Sequence, residues 1–499
     1  MQVCTLFIFT AENRRLMHQI LRPVSLSLSL ALLCASGVAT RAIAQTIPEN
    51  PAPSAEQSSA PAGPSDSVTV FPHSDRSRYL IAGQANIIFQ ADPPFHSPYE
   101  GINSFINRGE YKTSMVGTAY FGYQLFRAPS HSTEFFFNLE EAAGRGLSEA
   151  LGIAGFTNLD VVRNPNLGKT PYPARYSIHQ TIGLSNNMVE AERGPFSLST
   201  LVPERRIELR FGKMGMPDFF DLNSIGTDSH LQFLNWAIDN NGAWDYAADT
   251  RGYTYAGIAE YDDKAWSMRY GLALMPTVAN GIDLDWNLHR ASGQNWEFEL
   301  RKSPLGPLVK PERHGTVRLL GYVNHAHMGR YRDAINAYLE GKTPTPEITS
   351  VEKFGEVKYG FGFNAEQELT TNLRVFTRLG WNEGQHESYA YTEIDQTAQV
   401  GADYVGNQWH RPLDKVGVAF ATNGIKRDHQ EYLKLGGLGF ILGDGNLSYG
   451  RENILEGYYN AHTWRGLYTD FDTQLVDHPG YNTARGPVVV FTVRTHVDF

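Results

Sequence analysis

From Tyr79 to Phe499 one pattern dominates the chain. Runs of about ten residues alternate apolar and polar side chains and are separated by turn-forming residues. A strand sends successive side chains to opposite faces, so each run defines one greasy surface and one wet one. In the final run, Val489, Phe491, Val493, Val497 and Phe499 share a face, and Thr492, Arg494, His496 and Asp498 share the other. Leu467, Phe471 and Leu475 alternate with Tyr468, Asp470, Asp472 and Gln474. Leu373, Val375, Leu379 and Trp381 alternate with Arg374, Phe376, Arg378 and Asn382. Ile207, Leu209 and Phe211 alternate with Arg206, Glu208 and Arg210. Near the start, Tyr79, Ile81, Ala85, Ile87 and Phe89 alternate with Gln84, Asn86 and Gln90. Half-buried strands of a soluble sandwich alternate in the same way. Here, however, the polar face carries charges of both signs in mid-strand. A packed core would make those expensive; a water-filled lumen or a solvent-facing sheet accepts them.

No stretch after Gln45 approaches the apolar run that a membrane helix needs. A closed barrel can still cross a bilayer, because every backbone group is then paired between strands. The pattern predicts about sixteen strands, near 78–90, 113–125, 133–144, 174–184, 205–214, 252–260, 264–275, 295–303, 315–328, 357–369, 373–383, 391–405, 414–423, 452–462, 465–477 and 488–499. The total is even, as single-chain bacterial barrels require, and barrels of 16–18 strands leave an aqueous channel. The expected fold is therefore all-β: a transmembrane antiparallel β-barrel with long loops. A helical pattern at Tyr331 to Leu339 (YRDAINAYL) is expected on a loop. The connections around 145–173, 215–251 and 275–294 are expected as extracellular loops, or as one folded into the lumen.

The N-terminus has the layout of a secretory signal. Arg14, Arg15 and Arg22 precede a short apolar run, Val24 to Ala35, and Ala42-Ile43-Ala44 offers a cleavage site before Gln45. Met17 is an alternative start. Cys4 and Cys34 both lie in this segment, and Leu33 before Cys34 argues against a lipid-attachment site. Removal of residues 1–44 leaves 455 residues without cysteine, which suits an oxidising compartment, and takes the net charge from −10 to −13. Residues 45–77 read as a Pro/Ala/Ser-rich linker, with Pro48, Pro51, Pro53, Pro61 and Pro64. The barrel domain is expected over 78–499.

Other classes find little support. The chain is acidic and lacks a basic block, which argues against nucleic acid. Aromatics at 12% against 19% charged residues argue against disorder. Gly168-Lys169-Thr170 resembles the end of a phosphate loop, but Arg163 stands where its first Gly belongs. Gly437, Gly439 and Gly443 miss dinucleotide spacing, and no G-x-S-x-G elbow occurs. His325 and His327 form a pair without an evident third metal ligand. No catalytic residue, metal or cofactor is expected, and the chain is not expected to be an enzyme.

Gly146 to Asn158 (GLSEALGIAGFTN), Ile207 to Asn223 (IELRFGKMGMPDFFDLN) and Gly437 to Asn460 (GLGFILGDGNLSYGRENILEGYYN) resemble the carbohydrate-selective outer-membrane porins of the OprB type. Asp477-His478-Pro479-Gly480-Tyr481-Asn482 and Arg485-Gly486-Pro487 add to this resemblance. It implies a sixteen-stranded barrel in the outer membrane that passes mono- or oligosaccharides by diffusion. Its surroundings would be outer-membrane lipid. Its terminal Phe499 would be read by the barrel assembly machinery, and both a monomer and a homo-oligomer are compatible with the sequence.

A sugar is neutral and hydroxyl-rich with a weakly apolar face. Its selection needs paired donors and acceptors at a constriction, plus aromatic faces. The inward candidates are Glu140, Arg206, Glu208, Arg210, Arg318, Arg374, Arg378, Glu456, Asp470, Asp472 and Arg494. Arg206, Glu208 and Arg210 rank first because they cluster within a family-like stretch. Trp236, Asn240, Asn241 and Trp244 lie on a long loop; they fit either a sugar track or an aromatic girdle at the bilayer surface. The substrate pathway is thus expected along Glu140, Arg206, Glu208, Arg210, Trp236, Asn240, Arg378 and Glu456. The rival readings are a secreted soluble carbohydrate-binding β protein and a barrel with enzymatic activity.

Overall fold

The computed structural model describes residues 68–128, 130–160 and 169–499. The expected signal segment, the linker up to residue 67, and Arg163 and Gly168 lie outside the described residues. The strands are β1 (Tyr79–Asp92), β2 (Glu110–Ala128), β3 (His131–Gly144), β4 (Tyr172–Gly183), β5 (Met188–Glu190), β6 (Leu201–Pro203), β7 (Arg206–Met214), β8 (Thr254–Asp262), β9 (Trp266–Ala273), β10 (Ser292–Leu300), β11 (Gly315–Met328), β12 (Lys353–Glu368), β13 (Leu373–Asn382), β14 (Gln396–Val405), β15 (Lys415–Gly424), β16 (Glu452–Trp464), β17 (Leu467–Asp477) and β18 (Val488–Asp498). β5 and β6 pair with each other. The remaining sixteen form one closed antiparallel barrel, in which β4 pairs with β7 and β1 pairs with both β2 and β18. Each expected run coincides with one barrel strand.

Parity explains the closure. On β1 and β18, Phe89 lies opposite Val493 and both face outwards, while the adjacent Gln90–Thr492 pair faces inwards. The same rule leaves Phe211, Phe361, Phe471 and Phe491 exposed on the outer wall, Phe211 at 75%. Aromatic collars frame this band, as bilayer interfaces favour. At one end Trp266 lies between Tyr261 and Phe298, and Trp409 between Tyr404 and Tyr459. At the other, Tyr255 lies between Tyr176 and Trp286. Among the described residues no helix is long and apolar enough to cross a membrane; the strands do the crossing.

The two ends of the barrel differ. One has short connections, such as 263–265, 369–372 and 465–466. The other carries 93–109, 145–171, 215–253, 274–291, 329–352, 383–395, 425–451 and 478–487. The seam sits at the short-turn end, where Phe499 N–H donates to the Gly83 carbonyl (2.8 Å) and Val70 N–H to that of Asp498 (2.8 Å). The helix expected at Tyr331–Leu339 is present in the 329–352 loop. It packs on a second helix, Arg427–Lys434, through the stacked rings of Tyr331 and His429.

Described segments of the long connections bury their apolar side chains together, three of them supplying the aromatic centre. Residues 215–253 contribute Phe220, Phe233, Trp236 and Trp244, residues 145–171 contribute Phe156, and residues 383–395 contribute Tyr391. Trp236 stacks on Tyr391 at 4.6 Å between centroids and meets Phe156 edge-on at 5.5 Å. The result is a continuous apolar core on the long-loop side. Among the short turns, 184–205 stands apart: its β5–β6 hairpin also reaches into the barrel.

Candidate functional site

Around the short-turn half of the lumen, acids and bases alternate from strand to strand. His179 on β4 touches Glu134 on β3 (3.1 Å) and Glu208 on β7 (3.2 Å). Glu208 accepts from Arg206 (2.5 Å) and Arg210 (2.6 Å). Arg206 and Arg301 share Asp262. Arg269 on β9 bridges Glu260 (2.7 Å) and Glu297 (2.6 Å). Arg318 on β11 bridges Glu299 (2.8 Å) and Glu366 (2.9 Å), and Arg374 on β13 pairs with Asp403. The charges form a belt across neighbouring strands, because inward residues two apart on one strand sit beside those of the next. Each guanidinium donates in a planar fork to carboxylates, which makes buried charge tolerable.

On the long-loop half, wall side chains instead grip the backbone of the 215–253 insert. Glu456 on β16 accepts from the N–H groups of Leu234 (2.5 Å) and Asn235 (3.2 Å). Arg378 on β13 donates to the Ile238 carbonyl (2.8 Å) and pairs with Asp221 (3.0 Å). Gln399 donates to the Asn240 carbonyl and Asn382 to that of Ala243. Nearer the short turns, Arg494 pairs with Asp470 (2.9 Å) and also donates to the Ser229 and Gln232 carbonyls. Trp244 Nε1–H donates to Asn295 (2.9 Å). Room for the insert comes from missing side chains. A Cβ at Gly380 would lie 2.0 Å from the Asn241 amide oxygen, and one at Gly362 would lie 2.4 Å from its nitrogen. The loops are also tied to each other: Asp160 accepts from Asn86 (2.6 Å) and lies 3.3 Å from His230 Nε2. Burial opposes charge on His230, but the Asp160 carboxylate outweighs it and raises the imidazole to about 9.

Between insert and belt, the wall of β2, β3, β4 and β7 carries polar groups and rings together. Glu140 accepts from Tyr172 (2.5 Å) and Tyr253 (2.7 Å) hydroxyls. Arg175 makes a two-point contact with Asp218 (2.7 and 2.8 Å). Its guanidinium lies 4.8 Å from the Tyr253 ring centroid, that of Arg210 4.9 Å from Phe219, and that of Arg251 3.8 Å from Tyr172. Arg175, Arg206 and Arg210 keep 19%, 15% and 11% of their side chains accessible, whereas Arg378 and Arg494 keep none. The arrangement offers donors, acceptors and flat apolar faces with little net charge.

The sequence-derived residues thus fall into two groups. Glu140, Arg206, Glu208 and Arg210 share this wall, the two carboxylates buried and the two guanidinium groups partly accessible. Trp236, Asn240, Arg378 and Glu456 belong to the insert or its anchors, and Trp236 and Trp244 sit inside the lumen rather than at the bilayer surface. Arg318, Arg374, Asp470, Asp472 and Arg494 face inwards as expected, in ion pairs or buried polar contacts. Tyr172, Arg175, Asp218 and Tyr253 were not expected. Tyr172 and Arg175 share the inner face across a register shift opposite Asn138 and Leu139, which leaves Ala174 as an extra residue. His325 and His327 lie on the alternate parity from inward Asn324, and His327 meets Glu352 (3.2 Å). Among the described residues no metal-holding group of His, Cys, Asp or Glu occurs.

A model of the family described as carbohydrate-selective porin, OprB family, matches residues 124–499. Among solved structures, OprB of Pseudomonas putida at high pH is similar with a TM-score of 0.61 and 17% identity, over 84% of this chain and 94% of that one. The outer-membrane channel DcaP of Acinetobacter baumannii gives 0.45 and 8%, over 84% and 97%. No curated protein matches the sequence.

Proposed function

Given that the chain belongs to the carbohydrate-selective porin, OprB family, we propose a route and a selection mechanism for the sugars it passes. It is a porin of the outer membrane. Short turns of such barrels face the periplasm, so the insert enters from outside and the belt lies towards the periplasm. Sugars pass between the insert and the wall of β2, β3, β4 and β7. They meet Glu140, Tyr172 and Tyr253 first, then Arg175 and Asp218, then Arg210, Glu208 and Arg206. Carboxylates accept from sugar hydroxyls, guanidinium groups donate to them, and the Tyr and Phe rings offer their faces. Because acids and bases are paired along the route, small ions of either sign gain little from it. Weak, sequential contacts let the sugar leave.

The observation that supports this route most is the partial accessibility of Arg175 and Arg210 beside aromatic faces, with Arg206 following them, against the sealed anchors of the insert. Trp236, Asn240, Arg378 and Glu456 act in this reading by holding the insert in place. The chain performs no chemistry on its cargo. Phe499 serves as the mark read by the assembly machinery, residues 1–44 are removed on export, and the apolar band contacts outer-membrane lipid or a second copy. Planar-bilayer recording with glucose as blocker tests the route. Arg210→Gln should weaken glucose block several-fold and shift ion preference towards cations; unchanged block and unchanged ion preference would place the route elsewhere.

A further inference from the structure

The periplasmic connection 184–205 is a folded arm whose tip reaches the proposed route from below. Its β5–β6 pairing sets Val189 opposite Val202, and Gly194 and Ser197 bridge at the tip. Glu134 holds the arm inside the barrel by accepting from Leu198 N–H (3.1 Å) and Ser199 Oγ (3.2 Å). Arg193 fastens it by donating to the carbonyls of Leu198 (2.6 Å) and Tyr79 (2.8 Å). Leu198 is buried against Leu80 and Phe136, in a notch that Gly122 leaves open: a Cβ there would lie 3.0 Å from Leu198 and 3.1 Å from Phe136. These contacts fix where the next aromatic, Phe196, must stand.

Phe196 meets Phe219 of the extracellular insert edge-on, with centroids 5.5 Å apart and planes at 68°. The Arg175 guanidinium lies 5.5 Å from the Phe196 centroid. Two segments that enter from opposite ends of the barrel therefore meet through their rings beside the same cation. We propose that the 184–205 arm is the periplasmic jaw of the constriction, and that Phe196 sets the upper size of sugar that passes by closing against Phe219. The inference rests on the route proposed above. The Phe196–Phe219 rings form an apolar edge beside Arg175 and Asp218, past which a flat monosaccharide would slide with its hydroxyls towards the charges. A bulkier oligosaccharide would have to push the packed rings of Phe196 and Phe219 apart.

Liposome swelling with glucose, sucrose and raffinose, alongside single-channel conductance, tests this in the full-length chain. Phe196→Ala should admit the di- and trisaccharide and raise conductance by roughly twofold, as expected when a pore-lining ring is lost. Phe196→Trp keeps an aromatic tip and should slow even glucose, so the test survives if the alanine variant assembles poorly. Unchanged size cut-off and conductance in either assembled variant, with Arg210→Gln still altering glucose block, would overturn the jaw and leave the route standing. If Arg210→Gln is also silent, the route fails and the jaw falls with it.

Discussion

The two halves of the lumen wall use the same residue types with a different balance of partners, although Arg269, Glu297 and Glu366 of the belt also reach the insert's backbone. In the short-turn half, Arg and Glu side chains bind one another across strands, as in the Glu299–Arg318–Glu366 bridge. In the long-loop half, Glu456 and Arg378 spend hydrogen bonds on the backbone of an inserted loop. The first arrangement braces the ring and neutralises it. The second turns a wide barrel into a narrow one by satisfying peptide groups that would otherwise need water. The lesson is that an inward charge in such a wall is defined by its partners: Arg318 has carboxylates alone, Glu456 accepts from the insert's main chain, and Arg269, Glu297 and Arg494 bind both the wall and the insert.

That division can be broken deliberately, and the largest effect is expected in the belt. Arg318→Met removes the cation paired with Glu366 and leaves Glu299 with Arg301 alone, and should cost about 3 kcal/mol, the lower end for a broken buried pair. Urea unfolding of the lipid-inserted barrel should report this, with conductance nearly unchanged. Glu456→Ala should behave the other way round. It orphans the N–H groups of Leu234 and Asn235, at about 1–3 kcal/mol each, and frees the insert. Conductance should then rise several-fold and discrimination between glucose and sucrose should fall, while Glu456→Gln, which keeps an acceptor, should change both less. If both variants moved only stability, the distinction between belt and cradle would be lost.

The smallest effect sharpens the comparison between the loops themselves. The attraction between His230 and Asp160 is fully present below the ordinary imidazole value of 6.5 and fades as pH rises through about 9. Open-channel noise should increase between pH 8 and pH 10 (roughly one unit either side of that value), and His230→Gln should remove the dependence.

The strand order was legible because lipid outside and water inside impose a two-residue rhythm on every crossing. Inward Arg206, Glu208 and Arg210 followed from the same rhythm. Arg175 and Tyr172 did not, because an extra residue at Ala174 breaks the rhythm where they lie. The roles of Glu456 and Arg378 were hidden for another reason. Their partners are backbone groups of a loop far away in sequence, and no periodicity encodes such a contact. The 184–205 arm is not legible in the sequence because its strands are three residues each, too short to display alternation.

The seam of the ring has its own consequence. Gln84 lies opposite Asp498, and the β1–β18 ladder joins the opening and final strands of the sheet. Bringing such distant segments together is entropically slow. Until that happens, two unpaired strand edges stand ready to join any neighbouring chain. The porin is therefore most vulnerable to misassociation just before completion, and a helper that shields those edges would matter more to it than one that speeds its hairpins.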